Sequence, residues 1–385
     1  MTLASIGRFH FFEQARALAQ TGGLDRFYCD DPRVITAAGW GPGRWLTGAG
    51  LRARMASTGA AQMLPWLGEQ LAHAAGAATL VKINSAFALE TIQRGTAGRV
   101  WVDHGSLNER FVAARMQEEA ERWGDPLVAA GGNHDSAVLV ERQAEEFARA
   151  AGVVVASELA ARSMIEQGVA PGKLKVVALG VDARRFAPRR APAATGRFRI
   201  LHAGPVTFNK GVHRLIQAFR VAALPGATLC IAGRISSAAV RERLVRQAAG
   251  LAVEFRPPVA QAALPELFGS SDLFVLASLA DGFGLTVLQA MACELPVVVT
   301  GQCGCQEVIA GCAAVEVVPA GDTEALAAAL TQAYQRRGEQ RERGRAARLW
   351  AQELDWKSHA GRLQCEMGLR AGQPEWHFAS RGVQW

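Results

Sequence analysis

The sequence predicts an α/β protein made of two parallel-sheet domains in tandem. Short apolar runs alternate with helical patterns along most of the 385 residues, the signature of βαβ units. The runs fall into two sets of six. Between the sets lies Phe186–Arg197, a Pro-, Ala- and Arg-rich stretch with the composition of a linker. Half the residues are hydrophobic, enough for two sizeable cores.

In the first half, strands are expected at Leu3–Ile6, Asp25–Cys29, Thr79–Ile83, Val100–Val102, Val153–Ala156 and Lys175–Ala178. The first strand runs into Gly7, and a helical pattern follows at Glu13–Ala19. Asp103-His104 ends the fourth strand, and His134-Asp135 lies in a glycine-rich loop. In the second half, strands are expected at Arg199–His202, Thr228–Ala232, Val253–Phe255, Leu273–Ala277, Pro296–Thr300 and Ala314–Val318.

Composition sets outer bounds. No apolar run approaches the roughly 20 residues that span a membrane, and the N-terminus lacks a basic-then-apolar signal segment. Seven scattered cysteines, an odd number, point to reduced thiols and a cytoplasmic protein. Cys303-Gly304-Cys305 with Cys312 has no zinc-type spacing and no nearby histidine, so no metal is expected. The net charge is +7, and about +6 of it follows Pro188. That excess suits an anionic ligand. The arginine-dense run 336–348 reads as a solvated helical face, and no nucleic-acid motif accompanies it. Trp40–Leu67 mixes three tryptophans with arginines, a pattern compatible with peripheral contact at a membrane surface. There is no G-x-S-x-G elbow, helical H-E-x-x-H or G-x-x-x-x-G-K-[ST] loop.

The densest signal runs from Ser271 to Ile309: a strand, the turn Ser278–Gly284, the helical pattern Leu285–Cys293, then another strand. Gly282 and Gly284 let the backbone approach a ligand, with Phe283 and Leu285 beside them. The first amides of the helix have no intrahelical partners and can hold an anion such as a pyrophosphate. Such strand ends are where parallel sheets bind ligands.

The order of residues there resembles the family 4 retaining glycosyltransferases, glycosyl transferases group 1. Their signature is E-G-F-G-L-x-x-L-E-A-M-A-x-G-x-P-V, and this chain reads D-G-F-G-L-T-V-L-Q-A-M-A-C-E-L-P-V. Asp281 and Gln289 replace the paired glutamates. Eight residues rise roughly 12 Å along a helix, so one position reaches the donor sugar and the other the ribose. Asp281 keeps the charge; Gln289 keeps only an acceptor oxygen, a loss of about 1 kcal/mol in donor binding. Two further stretches resemble the family: Ser157–Pro188, with the turn Gly180-Val181-Asp182, and Ile200–Phe219.

The resemblance implies a GT-B fold, two Rossmann-like domains facing a central cleft. Residues 1–185 would form the acceptor-side domain, 186–197 the linker and 198–350 the donor domain. Residues 351–385 would cross back to the first domain, with Trp356 in the late aromatic motif. It implies transfer of a sugar from a UDP- or GDP-linked donor to a glycan or lipid-linked glycan, as in envelope polysaccharide synthesis. Asp281 and His104 would sit at the sugar. Gly204 and Lys210 would meet the phosphates, Arg256 the base, and Gly7 and His134 the acceptor side. The family has a second basic residue after the first glycine of the 204–211 loop; here that position is Pro205. No cofactor is implied, since amides and Lys210 neutralise the leaving pyrophosphate. The rival expectations are a binding module that no longer turns over and a sugar-nucleotide epimerase.

Overall fold

The computed structural model describes residues 1–5, 10–29, 60–75, 78–95, 98–130, 137–189 and 197–370. Gly7, His134, most of the tryptophan-rich stretch and most of the linker lie outside these residues.

Twelve strands form two six-stranded sheets. The first holds β1 (Thr2–Ser5), β2 (Arg26–Cys29), β3 (Val81–Asn84), β4 (Val100–His104), β5 (Gly152–Val155) and β6 (Leu174–Val176). The second holds β7 (Arg199–Ala203), β8 (Thr228–Ala232), β9 (Val253–Arg256), β10 (Leu273–Leu276), β11 (Val297–Thr300) and β12 (Val315–Val318). Each begins and ends within two residues of the sequence reading. Every pairing is parallel. Central strands such as Leu273–Leu276 and Val297–Thr300 are buried along their whole length, because helices cover both faces of each sheet.

The first sheet is ordered β2-β1-β3-β4-β5-β6 and the second β12-β11-β10-β7-β8-β9. Each therefore reverses direction once, between β1 and β3 and between β7 and β10. Ligands of open α/β sheets bind outside such reversals, at the strand carboxyl ends.

The C-terminal helices divide between the domains. Trp350, on helix Gln340–Glu353, donates its indole N–H to the Val308 carbonyl (2.9 Å). The next helix, Trp356–Glu366, lies on the first domain. Asp355 caps it, Val181 pairs with Asp355 as an isolated bridge, and His359 bonds the Ala178 carbonyl at 2.7 Å. Gln364 reaches Thr21 at 2.9 Å.

The arginine-dense run is mostly the expected solvated face, with Arg336, Arg337, Arg341 and Arg345 exposed, but two of its arginines turn inward. Arg343 is 8% exposed, and Arg348 donates to the carbonyls of Ala183, Phe186 and Ala292. Arg348 thus ties the segment Ala183–Phe186 to the second domain. The spacing of arginines does not reveal this, because the acceptors are backbone carbonyls far away in sequence. The signature's glycine after the helix is also replaced here. Glu294 sits there at φ 62, the left-handed conformation that ends a helix and that glycine adopts more cheaply.

Candidate functional site

Loops from the carboxyl ends of β7 and β10 meet over the reversal of the second sheet. From β7 comes Gly204–Gly211. Gly211 has φ 66, and any Cβ there would collide with the Ala277 carbonyl just past β10. Only glycine allows that approach. The Asn209 carbonyl accepts from the amides of Leu279 (2.8 Å) and Ala280 (3.3 Å), joining the loops. Lys210 Nζ then lies 2.7 Å from Asp281 Oδ2, the side chains being 19% and 11% exposed.

Asp281 is also held by its own turn. Its carboxylate accepts from Ser278 Oγ (3.3 Å) and the Phe283 amide (3.2 Å). The turn backbone is bonded to the segment after β11: Asp281 N to Gln302 O, Gly304 N to Asp281 O and Cys305 N to Phe283 O, at 2.9, 3.0 and 2.7 Å. Gly284 takes φ 80, and a side chain there would run into Cys303 Sγ. The helix Leu285–Ala292 follows at once, so its first amides face the loop crevice. Phe283 is 2% exposed and serves the turn by packing, while Gln289 is buried at 5% in the second turn of the helix.

The three cysteines considered as metal ligands are buried. Cys303 donates to the Phe283 carbonyl at 3.3 Å, and its sulfur lies 3.5 Å from that of Cys305. Burial raises the Cys305 thiol well above its ordinary range, which keeps it protonated.

Two cavities adjoin these loops. One, about 450 Å³, is lined by Gly204, Pro205, Arg234, Pro258, Leu264 and Thr286. The second, about 570 Å³, shares Arg234 and Pro258 and adds Arg241 and Arg256. Arg256 therefore lines the outer cavity, where Glu254 holds its guanidinium at 2.6 Å. His202, fully buried on β7, is pushed down to about 4 by burial and is neutral near pH 7.

The first domain closes directly onto the glycine turn. A Cβ on Gly282 would meet the backbone of Gly105 and Ser106 at 2.8–3.0 Å. Ser157 Oγ donates to the Gly282 carbonyl at 2.7 Å while capping its own helix. Glu307 accepts from the amides of Glu158 and Leu159, both at 2.8 Å. Lower on the interface, Glu119 accepts from His213 (2.8 Å) and Arg214 (2.6 Å). Burial pushes the Glu119 carboxyl up, but those bonds outweigh it and hold it below its usual value. Sequence reasoning missed Ser106, Glu119 and Ser157 as partners of the second domain, and Glu307 as a partner of the first. The one available signal was the Ser157-Glu158 pair in its family-like context.

Asp103 and His104 part company. Successive residues on a strand face opposite sides of the sheet. His104, 1% exposed, contacts Ser85 Oγ (3.0 Å), the Leu107 carbonyl (3.2 Å) and the Phe147 ring. Asp103 instead bonds Lys82 and lies 3.3 Å from His10 Nε2. Lys82 also donates to Gln14 (2.8 Å). Sequence reasoning missed this buried cluster. The site thus brings together Gly204, Lys210, Asp281, Gly282, Phe283, Gly284 and Leu285. The contacts of His104 hold it inside the first domain.

Residues 184–350 match the model of the family Glycosyl transferases group 1. The chain is 29% identical over 205 residues to GDP-mannose-dependent alpha-(1-6)-phosphatidylinositol dimannoside mannosyltransferase of Mycobacterium tuberculosis, covering 51% of this chain and 52% of that one. It is 32% identical over 219 residues to a glycogen synthase of the same organism, covering 52% and 51%. The chain spans about half the length of these curated relatives. Among solved structures, sucrose-phosphate synthase from Thermosynechococcus elongatus superposes with a TM-score of 0.70 at 20% identity, covering 96% of this chain and 97% of that one. Anabaena Alr3699/HepE in complex with UDP-glucose gives 0.69 at 15%, covering 96% and 99%. At those identities the likeness establishes the fold, two Rossmann-like domains in the GT-B arrangement. Residues 184–350, less than half of the chain, are thus similar to the glycosyl transferases group 1 family.

Proposed function

We propose that the chain is a retaining glycosyltransferase that moves a sugar from a nucleoside diphosphate sugar to a glycan or lipid-linked glycan acceptor. The observation that carries this reading is the Lys210–Asp281 contact over the half-buried start of helix Leu285–Ala292, at the reversal of the second sheet. A cation and helix amides face one crevice there, the arrangement a leaving diphosphate needs. In this reading the nucleoside occupies the cavity of about 450 Å³ beside Gly204, and Asp281, on the adjoining turn, meets the sugar. A diphosphate competes with Asp281 for the Lys210 ammonium. Donor binding therefore releases the carboxylate toward sugar hydroxyls.

In a front-face retaining reaction the leaving phosphate oxygen takes the acceptor proton. The protein then acts by stabilising charge on the leaving group rather than by offering a separate base. His104, as buried as it is, acts on the sugar only if the Gly105–Ser106 loop shifts, so its proposed part is to hold that loop against Gly282. The acceptor belongs to the first domain, and envelope polysaccharide synthesis and contact with the inner membrane face remain part of the proposal. Among the described residues no helix is long and apolar enough to cross a membrane.

Asp281, Gln289 and Pro205 each weaken the family pattern, and they favour a second reading: a module that binds nucleotide sugar without turnover. A panel of UDP- and GDP-sugars scored by thermal stabilisation, then by label transfer to glycan acceptors, separates the two. A donor at 100 times its dissociation constant adds about 2.7 kcal/mol. Stabilisation with transfer supports the enzyme, and stabilisation without transfer supports the module. No stabilisation by any nucleotide sugar would sink both.

A further inference from the structure

The loop after β7 and the loop after β8 run side by side in one register. Ala203 pairs with Ala232 within the sheet, and Val206 pairs with Ile235 just beyond it. The offset is 29 residues at both points, which sets Pro205 directly opposite Arg234. The bonds agree: Val206 N donates to the Arg234 carbonyl at 2.9 Å, and Ser236 N to the Val206 carbonyl at 3.3 Å. Gly233 lies so close to the Gly204 carbonyl that a Cβ would collide with it. Residues aligned across parallel strands face the same side and sit roughly 4.8 Å apart.

We infer that Arg234 supplies, from the neighbouring strand, the phosphate-neutralising charge that Pro205 lacks; this rests on the donor-binding reading above. Arg234 lines the same cavity as Gly204, Pro205 and Thr286, the last in the first turn of the anion-facing helix. Its side chain is exposed. Among the described residues no hydrogen bond or ion pair engages its guanidinium, whereas Lys210 is held by Asp281 and Arg256 by Glu254. Arg241, the other arginine nearby, lines only the outer cavity. Among the described residues no carboxylate lines either cavity. A displacement of one strand spacing is within reach of an arginine side chain, and its planar fork suits two phosphate oxygens at once.

The test is calorimetric titration of UDP, GDP, uridine and guanosine into the full chain and its variants. Arg234→Ala is expected to weaken the preferred nucleoside diphosphate about tenfold and to leave its nucleoside within about twofold. Adding Pro205→Arg to Arg234→Ala should recover most of the loss, because position 205 faces the same crevice. If Arg234→Ala affects diphosphate and nucleoside alike while Lys210→Ala selectively weakens the diphosphate, the inference falls and the donor reading stands. Failure of Pro205→Arg to rescue would overturn the exchange between strands. If the parent chain binds neither diphosphate, the donor reading fails and takes the inference with it.

Discussion

Each domain carries a lysine–aspartate pair that bridges two neighbouring strands, and the two pairs sit in opposite surroundings. Lys82 on β3 and Asp103 on β4 lie within the sheet layer, 0% and 5% exposed, under helix His10–Gln20. Phe11 covers the ammonium at 4.5 Å and Gln14 accepts from it. Lys210 and Asp281 lie on loops beyond the strand ends, 19% and 11% exposed. Burial lowers the Lys82 pKa, since it disfavours the charged form. Burial would raise the Asp103 carboxyl, but Lys82 and His10 outweigh it and hold it far below its usual value. Neither charge of the buried pair can be spared, because each is the other's compensation. The open pair can exchange partners with a ligand. The same two residue types thus make a structural element in one domain and, in the proposed function, a binding element in the other.

Breaking the buried pair should have the largest effect. Lys82→Met strands the Asp103 carboxylate in the core and is expected to cost about 3–5 kcal/mol, read from the urea midpoint. The double variant Lys82→Met/Asp103→Leu should regain most of that, since it removes both buried charges. If the single variant costs under about 1 kcal/mol, the two pairs are not different in kind. The sign for pH follows from the lowered Asp103 pKa. Its contribution is present above the ordinary carboxylate value of 3.8 and is lost as pH falls below it.

The open pair should respond the other way. Lys210→Ala is expected to change stability by under about 1 kcal/mol and to weaken nucleoside diphosphate binding about tenfold, with the bare nucleoside unaffected. Asp281→Asn frees the ammonium. Diphosphate affinity should hold or tighten, while kcat and kcat/KM fall together by about a hundredfold. Diphosphate binding that weakens with Asp281→Asn would remove the proposed competition between carboxylate and phosphate.

The second sheet was more legible than the first because its site is local in sequence. Asp281 to Leu285 supply turn, glycines and helix start within one short segment, and β10 and β11 are unbroken apolar runs. Both features follow from burial on two faces and from the close approach of backbone to ligand. Lys210 and Asp281 were read as separate ligands, and only the fold shows that they pair. The first domain hid its contribution in long-range contacts. Ser157 meets Gly282 across 125 residues, a distance that no local pattern encodes. Asp103 and His104 are adjacent in sequence, yet strand alternation sends the two side chains to opposite faces. Arg234 was equally invisible, since its meaning depends on a register set by pairing on either side of it.

The smallest expected effect lies in the neutral groups that support each pair. Gln14, 1% exposed, accepts from Lys82 at 2.8 Å. Ser278 donates to Asp281 at 3.3 Å, a longer bond to a carboxylate that water and Lys210 also reach. A hydrogen bond to a buried charge contributes about 1.5–3 kcal/mol, and a neutral or solvent-competed one about 0.5–1.5. Gln14→Leu should therefore destabilise by about 2 kcal/mol, because the Lys82 ammonium loses a partner that nothing else replaces. Ser278→Ala should cost about 0.5 kcal/mol, since Lys210 and the Phe283 amide still hold the carboxylate. Urea midpoints of the two variants against the parent measure the difference. Equal losses would mean that exposure does not separate the pairs, and that the open carboxylate is locked in place rather than available to a sugar.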